Sequence, residues 1–459
     1  MSQISCDVLV AGAGYAGLSA ARALKAAGRS VVLLESRDRV GGRTLERQVA
    51  GWRLELGGQY IAPIQERATK LVPELGLEFF TAWGEGDGFV AKDGKVARYQ
   101  STPARCLVES LGHPAEVAEE IEGTLNELGR LNELVPAATP WICPDAEAWD
   151  AVTFDTWINE RNRTDASREF FRYLTNQAYS TEPGQISLLQ MLWFLKTSHG
   201  LPPWAIGGLQ ANRVVGGTQL VAERMAEQLG DALHLGQIVR RVEQDDNGVL
   251  VKTVGAEYRA KAVVLCLPPQ LLPGLNYEPR LPSDLYRAFS AFQTGNTTKV
   301  QAAYDRPFWR DKGLSGNGMI WDGPQTFSYD NSAKDGYPGV LLGFITARRA
   351  TDWNRLSPAD RRSSVLETWA KILGPEALDP IDYIEMDWTS EEFTRGGYGC
   401  HLTPGFWCEL GQALGGESMP RFGRVWWAAS DLAKDWNGYL EGGLFAGEQA
   451  AGEVDAFLG

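Results

Sequence analysis

Residues 7–44 read DVLVAGAGYAGLSAARALKAAGRSVVLLESRDRVGGRT, and the architecture of the whole chain follows from them. Val8 to Val10 with Ala11 is apolar on both faces, the pattern of a buried parallel strand, and it ends at a glycine cluster. Gly12, Gly14 and Gly17 have the spacing G-x-G-x-x-G. Gly12 suits a tight turn, Gly14 a close approach of backbone to a pyrophosphate, and Gly17 the packing of the next helix on the sheet. That helix, expected from Ala16 to about Ala27, turns free N–H groups and a positive dipole end toward a diphosphate, and Gly28 stops it. A second apolar strand, Val31 to Leu34, delivers Glu35 to a place where a ribose diol would donate to it. Strand, glycine turn, helix and acid together predict a dinucleotide-binding βαβ unit in an α/β fold.

At 459 residues the chain exceeds one ordinary core, so two intimately joined domains are expected. Its 44 basic and 58 acidic residues leave a formal charge of −14, which argues against nucleic acid or an anionic membrane as partner. Six cysteines without C-x-x-C pairs and only four histidines indicate neither a zinc site nor a disulfide framework. No secretory leader opens the chain and no apolar run approaches a membrane span, so a soluble, cytoplasmic protein is expected. A homodimer is compatible with the sequence, which carries no mark of oligomeric state. Sixteen tryptophans imply a large aromatic core, with some rings available to line a flat apolar pocket.

Further along, Gly41-Gly42-Arg43-Thr44 is a second close-approach glycine pair, with an arginine able to reach the same pyrophosphate. In Glu55-Leu56-Gly57-Gly58-Gln59-Tyr60 a third pair lets backbone lie flat against a ring system. Residues 83–210 have a helical texture, with helices expected from Pro114 to Leu134 and from Asp165 to Tyr179. A helix from Gln219 to Leu229 precedes strands at Ala232 to Glu243, Val249 to Val254 and Ala262 to Leu267. From Gly295 the pattern is β-rich, including a strand from Thr298 to Tyr304, and then helical from Pro358 to Leu373. Val425 to Ala429 reads as a strand, and Gly438 to about Phe457 as a glycine-punctuated helix. One G-x-G-x-x-G means one dinucleotide, either NAD or FAD, and the extra glycine pairs suit the larger flavin, threaded through the domain.

The combination of GAGYAG, ESRDRVGGRT, ELGGQY and WNGYLEGG resembles the flavin-containing amine oxidase family, from residue 7 to about 455. The resemblance implies a Rossmann-like FAD-binding domain (1–82, 211–290 and 391–459) interleaved with an α+β substrate domain (83–210 and 291–390). It implies cofactor contacts from Gly12, Gly14, Gly17, Glu35, Arg37, Gly42 and Arg43, with Val239 serving the adenine side. Near the isoalloxazine it implies Gly57, Gly58, Gln59, Tyr60, Trp388, Ser430, Asp431, Tyr439 and Leu440. Lys299 matches a lysine that holds a water against flavin N5 and assists reaction with oxygen. Trp388, Trp436 and Tyr439 resemble the aromatic surround of the flavin, Tyr439 being one wall of a cage between whose rings the amine passes. Lys299, Tyr439 and Trp388 form the expected catalytic set.

The mitochondrial enzymes carry Gly-Gly-Cys-Tyr, where the cysteine joins the flavin and the tyrosine is the other cage wall. This chain has Gly396-Gly397-Tyr398-Gly399-Cys400, which puts Tyr398 on the cysteine and Gly399 on the tyrosine. Cys400 reaches the flavin only if the loop slips by two residues. Non-covalent FAD and a wide cage lacking its second wall are therefore expected. Gln210 and Phe327 match pocket residues, with Gln177, Ala178, Thr197, Trp204 and Phe344 as further candidates. An apolar ring at 327 leaves the distal ammonium of a diamine uncompensated.

These residues point to an FAD-dependent oxidase of a primary monoamine (alkyl, cycloalkyl or arylalkyl). The amine gives up hydride to the flavin, the imine hydrolyses to a carbonyl compound and ammonia, and oxygen becomes hydrogen peroxide. Small-molecule amine and O2 are the partners. An L-amino-acid oxidase would need an arginine for the substrate carboxylate, for which Arg161, Arg172 and Arg213 are candidates. A secondary-amine oxidase of the nicotine type and a flavin-binding sensor without turnover also stay open.

Overall fold

The computed structural model describes residues 4–49, 51–100, 111–200 and 209–459. Ile4–Ala11 is the opening strand, and its core residues Val8, Leu9 and Val10 are fully buried. It pairs in parallel with Val31–Leu34 on one side and Glu257–Leu265 on the other, at the centre of a nine-stranded sheet. Val239–Asp245, Gly248–Thr253 and Glu257–Leu265 form an antiparallel meander, and Val425–Trp427 adds in parallel beside the last of these. The strand expected to begin at Ala262 begins at Glu257 instead, because its first half alternates and pairs with a hairpin partner rather than being covered on both faces.

Two glycines of the opening motif are required by packing. A Cβ on Gly12, whose φ is +102°, would lie 2.5 Å from the Cys266 carbonyl oxygen. One on Gly17 would lie 1.7 Å from the Gly12 carbonyl oxygen, so the helix Tyr15–Ala26 rests directly on the turn. The C-terminal helix Leu440–Leu458 packs on that helix the same way: a Cβ on Gly447 would lie 2.1 Å from the Ala16 oxygen. The ends of the chain are thus locked backbone to backbone.

A second sheet has seven strands, in the order Asp382–Asp387, Thr297–Tyr304, Gly339–Thr346, Phe327–Asp330, Leu314–Ile320, Asp87–Lys92 and Lys95–Tyr99. The last two correct the helical texture expected after residue 83. Asp93 and Gly94, with φ of 53° and 72°, make a two-residue hairpin turn that the helix pattern obscured. The other expected helices stand at Ala115–Glu133, Asp165–Tyr179 and Pro358–Leu373. Leu188–Thr197 is an additional helix, apolar all round and buried, with no polar stripe to betray it.

The helix Pro358–Leu373 covers the outer face of the second sheet. Its Trp369 is fully buried and donates from Nε1 to the Ser328 hydroxyl at 3.0 Å. Trp369→Ala is expected to cost about 3–5 kcal/mol, read from the denaturant midpoint at unchanged slope. No helix among the described residues is long and apolar enough to cross a membrane.

Candidate active site

One cavity of about 570 Å³ runs between the two sheets. At one end lie Glu35, Arg37 and Val239, and at the other Gln177, Gln210 and Phe327. Most of the residues expected to touch the cofactor border it: Gly12, Gly14, Gly42, Arg43, Gly57, Gly58, Gln59, Tyr60, Trp388, Ser430, Tyr439 and Leu440. So do Ala178, Phe344 and Lys299. Gly17 and Asp431 do not border it; the first is on the face of its helix that packs against the Gly12 turn, the second behind the wall. Thr197 is also off the cavity, its hydroxyl bonded to the Phe194 carbonyl. Trp204 lies outside the described residues.

The Glu35 carboxylate is buried and accepts from the Ala13 amide at 2.7 Å and the Arg37 amide at 3.0 Å. Oε1 also accepts from the Ser36 hydroxyl at 3.1 Å, while Oε2, bonded to Ala13 alone, has a further lone pair for a donor from the cavity. The Arg37 guanidinium bridges to Glu391 and to the Thr394 hydroxyl, tying the segment after Trp388 over this end.

Arg43 borders the cavity and is at the same time tied into its wall. Its terminal N–H groups donate to the Tyr398 carbonyl at 2.8 Å, the Ser430 hydroxyl at 2.6 Å and both oxygens of Asp431. Asp431 in turn accepts from the Cys400 amide at 2.8 Å. Arg43, half-buried, and the buried Asp431 form a clasp that joins three remote pieces of cavity wall.

The cavity fits FAD on its own geometry. A Cβ on Gly14 would meet nothing nearer than the Gly42 Cα at 3.9 Å, and one on Gly58 only Leu440 at 3.8 Å, so both would project into the channel. The helix Tyr15–Ala26 has no side-chain cap and no acid in its first turn, leaving its N–H groups for an anion.

At the flavin end the second sheet presents one face. Its register sets Met386, Lys299, Phe344, Phe327 and Met319 side by side across five strands. Lys299 is 1% exposed and its Nζ donates to the Gly57 carbonyl at 2.9 Å and to Gln59 Oε1. Burial pushes its pKa down to about 7, partly offset by Glu55. Trp388 is fixed by its Nε1 donating to the Leu56 carbonyl at 2.8 Å.

Beyond the lysine the walls are rings and amides. Tyr329, not singled out by the sequence, lies 6.3 Å from Tyr60, 6.3 Å from Phe327 and 6.0 Å from Phe344. Its hydroxyl accepts from Gln177 at 3.1 Å and Gln210 at 3.5 Å. Tyr398 lines the same cavity as Tyr439, with its ring 5.5 Å from Phe344. The cage expected to lack a second wall has a tyrosine at that loop after all. Burial pushes the Tyr439 phenol up to about 12, so it is neutral at physiological pH. The Cys400 thiol donates to Gln270 and is pushed well up by burial and by Asp431, unlike a reactive thiolate.

Among the described residues, the acids and arginines that border the cavity are Glu35, Arg37, Arg43, Arg240, Glu392 and Arg395, and none of them is hydrogen bonded to a side chain of these rings and amides. The three arginines considered for a substrate carboxylate are engaged elsewhere. Arg161 binds Glu127, Arg172 binds Asp155, and Arg213 binds Glu55 and the carbonyls of Asn331 and Ser332.

Behind Gly57, Glu46 and Glu55 face each other across the ladder of Glu46–Val49 and Trp52–Glu55. Glu55 is satisfied by Arg213 and Thr218. Glu46 pairs with Arg53, yet burial, and then Glu55, push its pKa up to about 7. A carboxyl whose folded pKa lies above its unfolded value stabilises below the unfolded pKa and loses that contribution as pH rises through about 7. Glu46→Gln is therefore expected to raise stability by roughly 2 kcal/mol at pH 8.5 and little at pH 4.5, read by thermal unfolding.

These features define an FAD-dependent amine oxidoreductase. Residues 15–455 match the family of flavin containing amine oxidoreductases, and the chain belongs to it. It is 33% identical over 459 residues to flavin-containing amine oxidase B of Sus scrofa, covering 98% of this chain and 86% of that one. It is 34% identical over 466 residues to an L-amino acid dehydrogenase of Synechocystis, covering 99% and 96%. A putrescine oxidase bound to putrescine superposes with a TM-score of 0.91 at 31% identity, covering 99% of this chain and all of the other. Cyclohexylamine oxidase from Brevibacterium oxydans gives 0.91 at 30% identity, with 99% of each chain covered.

Proposed function

We propose that the chain oxidises an uncharged primary monoamine, alkyl, cycloalkyl or arylalkyl, to an imine that hydrolyses to a carbonyl compound and ammonia. The observation that carries this reading is the far end of the cavity, walled by Tyr60, Phe327, Tyr329, Phe344, Tyr398 and Tyr439 with no acid or arginine among its described residues. Putrescine is the ligand of one structural relative, and cyclohexylamine names the other. A distal ammonium would be desolvated here without a counterion, which favours the cyclohexylamine type.

Bound FAD supplies the redox chemistry: hydride acceptance from the amine-bearing carbon and reduction of oxygen to hydrogen peroxide. The rings of Tyr398 and Tyr439 exclude water and disfavour the ammonium form, so the neutral amine is the one admitted. Gln177 and Gln210 hold the Tyr329 hydroxyl and with it the shape of the far wall. Lys299 keeps a donor at the ring end of the cavity for the reaction with oxygen. We assign the FAD-binding part to 1–82, 211–290 and 391–459, and the substrate part to 83–210 and 291–390. The free cysteines support a reducing, cytoplasmic setting. Since no reactive thiolate among the described residues borders the ring, the FAD is held without a covalent bond, and acid precipitation should leave the yellow colour in the supernatant.

Anaerobic addition of benzylamine or cyclohexylamine to the holoenzyme should bleach the flavin, while putrescine and L-amino acids at equal concentration should not. Bleaching by carboxylated amines alone would make the protein an amino-acid oxidase. Colour retained with every amine would make it a sensor.

A further inference from the structure

We infer that Asn331 is a positioning residue for Lys299, acting through Gln59 by a one-way relay of side-chain amides. The inference rests on the proposed role of Lys299 in the reaction with oxygen. The relay starts at Lys299 Nζ, which donates to Gln59 Oε1. Gln59 Nε2 donates to Asn331 Oδ1 at 2.5 Å, and Asn331 Nδ2 donates to Gln301 Oε1 at 2.8 Å. Gln301 Nε2 ends the run on the Glu55 carbonyl at 2.7 Å. All four side chains are buried, at 0–2% exposure.

A lone carboxamide can face either way. Here an ammonium, which only donates, stands at one end and a backbone carbonyl, which only accepts, at the other. Turning any one amide would set N–H against N–H and oxygen against oxygen, so the polarity of all three is fixed. Each bond polarises the next and concentrates negative charge on the Gln59 oxygen that meets the ammonium. Gln301 and Lys299 lie two residues apart on one face of the strand Thr297–Tyr304, so the relay closes into a ring that sets the distance from that strand to Gln59.

Asn331 touches neither the lysine nor the cavity. Its backbone carbonyl is pinned by Arg213 at 3.0 Å, and Arg213 is bound to Glu55 at 3.1 Å. Glu55 and Arg213 are also the charged groups that bear on Lys299, the first favouring its charged form and the second opposing it. Phe344 and Met386 flank the lysine on the neighbouring strands and carry no charge. The phenols of Tyr60 and Tyr329 stay neutral, their pKa raised by burial.

The test uses holoenzyme labelled with [ε-13C]lysine, the Lys299 resonance being assigned by its loss in Lys299→Met. Asn331→Leu breaks the relay and should lower the titration midpoint of that resonance by about one pH unit, whereas Asn331→Asp, nearly isosteric, should raise it. Reoxidation of the reduced enzyme by oxygen should shift its pH profile in step, with anaerobic bleaching by benzylamine unchanged within about twofold. A midpoint that stays put in both variants overturns the proposal, even if the melting temperature falls. A midpoint that moves while reoxidation does not would keep Asn331 as the positioning residue and remove Lys299 from the oxygen reaction. Should Asn331→Leu fail to fold, the aspartate variant alone decides the matter.

Discussion

Lys299→Met is expected to slow reoxidation of the reduced enzyme by oxygen about 10²-fold at pH 6.5, with anaerobic reduction by benzylamine changed by no more than about threefold. Oxygen arrives uncharged and gains negative charge as it takes up electrons, so a fixed cation beside it stabilises the product side selectively. Lys299 is placed for this by strand register, being the one position of its cross-sheet row that is neither aromatic nor thioether. It is charged only below its midpoint, which burial pushes down to about 7. The wild-type reoxidation rate should therefore fall as pH rises through 7, while the methionine variant should be slow and flat. A variant as fast as wild type in stopped-flow mixing with oxygen would remove the lysine from this step. Loss of amine reduction instead would assign it to substrate.

What the sequence displayed and what it hid follow from the range of the interactions. The nucleotide end is local: turn glycines, helix and Glu35 fall within 24 residues, and each has a conformational reason visible in the string. The flavin end is built across great separations. Arg43 and Asp431 are 388 positions apart, and no pattern in the chain announces that the guanidinium is taken up by that carboxylate. The relay from Lys299 through Gln59 and Asn331 is hidden for the same reason, since amides on three unconnected segments look like ordinary polar residues. At Tyr398 the glycines misled. Aligning Gly396-Gly397 with the family's glycine pair put the tyrosine on the cysteine and a glycine on the cage wall. In the folded chain the Tyr398 ring borders the cavity beside Phe344, so a glycine pair is a poor ruler in a loop.

Phe327→Asp is expected to turn selectivity toward diamines, raising kcat/KM for 1,4-diaminobutane relative to butylamine by at least about 10²-fold. Phe327 is 3% exposed, stacked on Tyr329 and 5.0 Å from Tyr173, two strands from Lys299 along one row of the sheet. Strand spacing puts those two Cα positions about 10 Å apart, a span that suits a short diamine with one nitrogen at the reacting end. In the wild-type protein the second ammonium would meet only rings and amides at that distance, which is the physical basis for its exclusion. A carboxylate there would pair with it, and without a diamine would be buried alone and destabilise the free enzyme. Phe327→Asn separates charge from space, since it opens the same gap without a counterion and should leave the ratio near its wild-type value. Equal losses for both substrates in the aspartate variant would place the distal end of the substrate elsewhere in the cavity.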